Sequence, residues 1–445
     1  MILSAKYIEN YKATLTLAIP VVISQLGHIM VGVVDTAMVG QIGPEEQAAI
    51  ALSNSLYYLV LVFGLGVSMG ITPLTAAADS SKNTEENGAL LKHGMIVNTA
   101  IGILLFLLLL FISPVLHLFN QKETVVEKAI PFLNVMMLGM IPLMIFSSFK
   151  QFAEGLSFTT IAMIVTLGAN LINILLNYVF IFGHWGFPEM GMIGSAWASF
   201  YARTAMALVM FLYVYYNKSF KEYWLGFTAR KISKKLIKKI LAIGIPSGLQ
   251  WAFEVGAFAF AVVMIGWIGA KEQAAHQVAL SIAAISYMMA SGLSAATTVR
   301  VGNQLGLNNR EGIRAVGFSS FIMVLLFMGT AALIFILCRN LFPLFFSTDI
   351  EVIELASFLL IIAAIFQLSD GVQVVALGAL RGLNDVKIPT AITLIAYWAV
   401  GLPMCYVFGF VFNWGLQGIW YGLVLGLTAA AVLLFWRFNY VSKKV

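Results

Sequence analysis

Residues 42–49 read IGPEEQAA and residues 268–275 read IGAKEQAA. Six of the eight positions are identical, 226 residues apart in a chain of 445. At the same offset Ile19-Pro20 meets Ile245-Pro246, and Gly66, Ser68 and Thr72 meet Gly292, Ser294 and Thr298. With one or two residues of slippage Gly155-Leu156 meets Gly382-Leu383, and Tyr178-Val179-Phe180 meets Tyr406-Val407-Phe408. Collinear matches over nearly the whole length make the chain a tandem repeat. The repeated phrase itself reads as a turn: Gly43 and Gly269 end one helix, and the acids after them open the next, where they suit the helix dipole.

Composition says what is repeated. The chain is 60% hydrophobic and 10% charged, with a mean hydropathy of +0.92; a soluble domain carries roughly 25% charged residues. Apolar stretches of about 20 residues recur throughout, the mark of membrane-spanning helices. The alternating ten-residue strands of a membrane barrel are not visible. Twelve spans are expected, at about 13–40, 49–77, 91–117, 130–149, 160–182, 193–216, 238–267, 276–299, 315–340, 352–379, 388–412 and 416–436. This predicts an all-α integral membrane protein of twelve transmembrane helices. Residues 1–217 form an N-lobe, 218–237 a basic cytoplasmic link and 238–445 a C-lobe. Six is even, so each half enters and leaves on one side, and the lobes are parallel repeats about a pseudo-two-fold along the membrane normal.

Charge sets the orientation. Of 26 basic residues, 21 fall on the side of both termini, 4 on the other, and Arg203 lies inside span six. The bias places both termini in the cytoplasm of a multi-pass plasma (inner) membrane protein. It also accounts for the net charge of +6 without nucleic acid. The run Arg230, Lys231, Lys234, Lys235, Lys238 and Lys239 is expected along anionic lipid headgroups. The polar N-terminus does not read as a cleaved signal peptide. Cys338 and Cys405 lie in apolar spans and read as buried small hydrophobes, with no metal-ligand spacing.

Three carboxylates sit well inside spans: Asp35 in span one, Glu254 in span seven and Asp370 in span ten. Charge at membrane depth costs a few kcal/mol or more and is usually functional. Arg203 is the one internal cation expected to face them, with His28 a weaker one, so negative charge is in excess. Gln25, His28, Gly32 and Asp35 are spaced to share one helix face, as are Asn170, Asn173 and Asn177 on span five. A carboxylate with amide oxygens is a hard-oxygen set suited to Na⁺ or to a held proton; an Asn stripe can equally be interhelical glue. In the second half Gln250, Glu254 and Phe258 are one turn apart, and Phe366, Asp370 and Gln373 form a similar face. Carboxylates flanked by rings make a pocket for an organic cation, and proton exchange at them is open too. Aromatics beside a buried acid are more often plain packing. Pro20 and Pro246, early in spans one and seven, permit kinks and are expected as hinges. At the offset of 226, Asp35 meets Ala261 and Glu254 meets His28, so two distinct sites are expected rather than one site copied.

Together the stretches IPVVISQLGHIMVGVVDTAMVGQIG, IGPEEQAA, IGAKEQAA, WAFEVGAFAF and LSDGVQVVALGALRGLNDVKIP resemble the multidrug and toxic compound extrusion (MATE) transporters, in their NorM-like branch, over essentially the whole chain. The resemblance implies efflux of cationic amphipathic drugs in exchange for Na⁺ or H⁺. It implies an N-lobe cation site at Asp35, Asn173 and Asn177, and a C-lobe site at Glu254 and Asp370. Some relatives carry Tyr where this chain has Phe366, and a second acid where it has Asn177; here Asp35 is left as the strong proton acceptor of the N-lobe. A monomer without cofactor is expected, partnered by small-molecule cations and the bilayer. A flippase for lipid-linked oligosaccharides would need internal cations for pyrophosphate, whereas the internal ionisable residues are mostly acidic. A membrane enzyme would need a histidine cluster, nucleophile elbow or facing aspartates, none evident. An ATP-driven pump would need a G-x-x-x-x-G-K-[ST] loop, which is missing. A scaffold leaves the three carboxylates unexplained.

Overall fold

Each repeat is closed by the same backbone devices. In a computed structural model of the chain, Gly43 and Gly269 precede spans two and eight in the same extended conformation, with φ 173° at both. Lys82 and Asn308, with φ 56° and 52°, make the left-handed turn before spans three and nine. Asn83 and Asn309 then cap those helices, their side chains accepting from Glu86 N–H and Gly312 N–H at 3.0 Å. Ser157 and Asn384, again left-handed, follow spans four and ten. The repeat is therefore one of structure as well as of spelling.

The structure describes residues 5–119, 122–229 and 231–445; the side chains of 5–8, 28, 29, 36, 118, 119 and 229 lie outside the description. Among the described residues there are twelve helices long and apolar enough to cross a membrane: Glu9–Gly40, Pro44–Ser80, Thr84–His117, Glu123–Gly155, Thr159–Phe182, Gly191–Tyr216, Lys234–Gly266, Ala270–Gly306, Arg310–Leu337, Ile350–Gly382, Lys387–Val411 and Gly415–Val441. Most run several residues past the expected ends. Hydropathy stops at the first charge, but a helix continues until its carbonyls and amides find a cap.

That extension corrects the count of internal charges. Arg381, assigned by hydropathy to a link, lies inside span ten with only 6% of its surface exposed. Glu154 lies inside span four at 4%, 3.9 Å from Lys150 one turn before it. Arg203 is thus not the only internal cation, and the three carboxylates are not the only internal acids.

The helices gather into two compact units, one of residues up to Val22 with Leu249–Val445, the other Ile23–Gly248. The contact units and the sequence repeat divide the chain differently, because spans one and seven each contribute to both units. In the first unit Arg300 grips the start of span one: its guanidinium donates to Asn10 O at 2.7 Å, Asn10 Oδ1 at 2.7 Å and Thr14 Oγ1 at 2.6 Å. In the second, Gly66 and Gly70 let span two lie directly on the backbone of Gly248 and Gly244 of span seven. Lys239 reaches Glu86 at 3.1 Å, and His93 Nε2 accepts from Ser233 N–H at 2.8 Å. Of the basic run, Lys239 is therefore engaged by protein, and Arg230 lies outside the described residues.

Candidate functional sites

In the second unit, Asp35 lies near the end of span one, half-buried. Asn177 Nδ2 donates to its Oδ1, and Ser199 Oγ approaches its Oδ2 at 3.5 Å. Asn177 also donates to Asn173 Oδ1 at 3.2 Å, and Asn173 donates to Ser199 at 3.3 Å. The four side chains come from spans one, five and six, and they close a ring of polar contacts. Asn177 Oδ1 is buried without a partner among the described residues. An amide whose oxygen is left over beside a carboxylate presents the donor a small hard cation lacks.

The rest of the expected set is placed differently. Asn170 donates to Gly27 O at 2.9 Å, tying span five to span one as glue. Gln25 is partly exposed and has an interaction of its own. The side chain of His28 lies outside the described residues. Arg203 hydrogen-bonds span two, donating to Tyr57 Oη at 2.5 Å with its guanidinium 5.0 Å from that ring, while its charge still reaches Asp35 as expected. It also reaches Met136 O at 3.5 Å, beside the break of span four at Gly139, whose N–H the same carbonyl accepts at 3.1 Å. Ser199 was not among the expected residues; its position one turn before Arg203 on span six was the available signal.

In the first unit, Glu254 of span seven and Asp370 of span ten are 8% and 2% exposed. They lie within electrostatic range of each other. The Tyr287 hydroxyl of span eight lies within electrostatic range of Glu254 and of both Asp370 and Arg381. Tyr397 of span eleven donates to Gln373 Oε1 at 2.5 Å. Phe258 stands 5.9 Å from Phe366 and 6.4 Å from Tyr397, and Phe366 stands 5.9 Å from Trp420. Phe366 is thus a core residue of this unit, edge-on to Phe258. Gln250 turns away from the acids: its Nε2 donates to Val386 O at 3.2 Å and Thr390 Oγ1 at 3.0 Å. Pro20 and Pro246 are both inside continuous helices, two residues before the positions where the contact units divide.

Two residues of this cluster, and Arg381 beyond it on span ten, escape a reading of the sequence. Tyr287 and Tyr397 supply phenolic oxygens from spans eight and eleven, although position 366 itself offers none. Tyr397 owes its place to a π-helical stretch, residues 395–401, a widened turn often found at functional sites. Arg381 is hidden by its nominal position in a link.

No group of three His, Cys, Asp or Glu is gathered among the described residues. The chemistry on offer is instead single or paired carboxylates with neutral oxygens and rings. Such an arrangement suits a monovalent ion, a proton or an organic cation held reversibly, without a fixed multidentate cage.

Comparison with known proteins gives the same architecture. The MatE family profile matches residues 20–179 and 246–407, one match in each half. The chain is 31% identical to "Multidrug resistance protein NorM" of Photobacterium profundum, over 98% of this chain and 96% of that one. It is 33% identical to "Multidrug resistance protein MdtK" of Yersinia pseudotuberculosis serotype O:1b, over 99% and 97%. Among solved structures, the fold matches the eukaryotic MATE transporter AtDTX14 with a TM-score of 0.89 at 22% identity, covering 99% and 98%. It matches an outward-facing multidrug resistance MATE family transporter with a TM-score of 0.90 at 20% identity, covering 98% and 96%.

Proposed function

Because this chain belongs to the MatE family, the multidrug and toxic compound extrusion transporters, we propose that it is a secondary active antiporter. It exports cationic amphipathic compounds in exchange for Na⁺ or H⁺, by alternating access between lobes 1–217 and 238–445. It works as a monomer in the plasma (inner) membrane with both termini cytoplasmic, and it is a transporter rather than an enzyme.

The observation that supports this most is the separation of two carboxylate sites with different surroundings. Asp35 is dressed with amide and hydroxyl groups from Asn177, Asn173 and Ser199, which suits a small ion or a proton. Glu254 and Asp370 share their surroundings with Tyr287, Tyr397 and Phe258. Negative charge beside ring faces suits an organic cation. Two anions in one apolar setting repel, so a cation or proton arriving there relieves both the repulsion and the cost of burial. A coupling ion and a drug that each favour a different state of the protein shift each other's affinity equally, and this reciprocity is what makes exchange.

The test is dye efflux from proteoliposomes loaded with a cationic dye, under an imposed Na⁺ gradient or an imposed proton gradient. Efflux should be accelerated by one of the two gradients and slow when that gradient is collapsed. Efflux at the same rate with both collapsed would contradict antiport. An anionic lipid-linked cargo fits less well, since Arg203 is engaged by Tyr57 and the second site holds two acids.

A further inference from the structure

Away from both carboxylate sites, spans nine and ten are joined by residues 338–349, on the face opposite the termini. This link carries an apolar crest. Leu344, Phe345 and Phe346 are 57%, 76% and 54% exposed, and Ile350 just after them is 71% exposed. Side chains of this kind on a link belong in the hydrocarbon edge of a bilayer, which fixes the crest at the depth where acyl chains meet headgroups. Directly beside it lies a cleft of about 530 Å³, within the range of about 300–1,000 Å³ that small-molecule sites occupy.

The lining of the cleft is chemically divided. Leu344, Ile350, Ile353 and Phe358 are apolar, while Arg339 and Glu354 bring one charge of each sign. Among the described residues neither the Arg339 nor the Glu354 side chain makes an ion pair or a hydrogen bond. Lys271 of span eight is already bound to Glu351, so it does not serve Glu354. Glu354 lies one turn into span ten, exposed and with no cation of the protein bound to it, where a ligand cation can reach it. A ligand with an anion, a cation and an apolar tail would settle all three features at once.

We propose that this cleft binds the headgroup of a glycerophospholipid bearing a primary ammonium, with Arg339 on the phosphate and Glu354 on the ammonium. A phosphate accepts two parallel N–H groups from a guanidinium. A primary ammonium donates hydrogen bonds to a carboxylate, which a trimethylated one cannot. The acyl chains run along Leu344, Ile350 and Phe358.

The experiment is native mass spectrometry of the full chain in detergent, titrated with phosphatidylethanolamine, phosphatidylcholine or phosphatidylglycerol. An Arg339→Gln/Glu354→Gln double variant reports lipid held elsewhere. Wild type should bind phosphatidylethanolamine roughly fivefold tighter than phosphatidylcholine, the factor an exposed ion pair with hydrogen bonding supplies. Glu354→Gln should bring that ratio to about one. Arg339→Gln should weaken both lipids alike. Equal binding of the two lipids by wild type would overturn the proposal without any variant. So would phosphatidylglycerol binding tightest, or a preference that survives Glu354→Gln.

Discussion

Asp35 and Asp370 are both aspartates inside spans, yet their neighbours suit them to different parts of the proposed exchange. Asp35 is half-buried and held by Asn177 and Ser199. Replacing it with Asn keeps the volume and removes the charge. Asp35→Asn should insert and fold as wild type, while ion-coupled dye efflux drops at least about tenfold, since a hydrogen bond to a charged group is worth roughly 1.5–3 kcal/mol. Drug resistance at the wild-type level in cells carrying that variant would remove Asp35 from the mechanism. Asp370 and Glu254 face rings and each other. Glu254→Gln and Asp370→Asn should weaken binding of cationic dyes by about tenfold, the loss of about 1.4 kcal/mol, and leave neutral dyes within about twofold. Fluorescence titration of a matched cationic and neutral pair checks this; equal losses for both would show a packing role. The carboxylates themselves were legible in the sequence because charge inside an apolar run stands out. Their partners Ser199, Tyr287 and Tyr397 were not, because a hydroxyl is unremarked in hydropathy and acquires meaning only from the helix it meets.

Among elements, the spans were legible from apolar length, and the repeat from its caps. Irregularities inside spans were not. Span eleven is expected as one helix over 388–412, but it alternates α-helical and π-helical turns, residues 395–401 and 407–411 being π. The reason lies in span twelve. Gly418, Gly422 and Gly426 form a bare stripe at four-residue spacing, against which Phe408, Cys405 and Gly401 of span eleven pack by their backbones. A side chain at Gly422 would overlap the backbone of Cys405. Gly422→Leu should therefore cost about 1–3 kcal/mol, seen as a lower melting temperature in detergent and as lost transport, since Tyr397 depends on the same packing. Unchanged melting would mean that span eleven adapts freely. Pro20 leaves the Thr16 carbonyl of span one without its usual helical donor. Pro20→Ala should restore that bond, stiffen span one and slow ion-coupled efflux. Unchanged efflux would discard the hinge.

For the whole molecule, the offset of 226 residues revealed a shared frame with its acids placed unequally. The structure extends the asymmetry: Glu154 and Arg381 occupy matching positions, each one residue before the glycine that ends span four or ten, yet they bear opposite charge. One unit keeps its acid beside Lys150, while the other sets a cation in the field of Tyr287. Two copies of one helical plan thus hold their internal charges differently, and the proposed exchange rests on that difference. If ion and drug are exchanged, each gradient must be able to drive the other species. The most direct measurement is made in proteoliposomes with equal Na⁺ and equal pH on both sides and a cationic dye loaded inside. Outward dye flow should pull Na⁺ or H⁺ inward against a growing gradient, and the ion movement should vanish in Asp35→Asn. Dye leaving at the wild-type rate with no opposite movement of either ion would contradict the account.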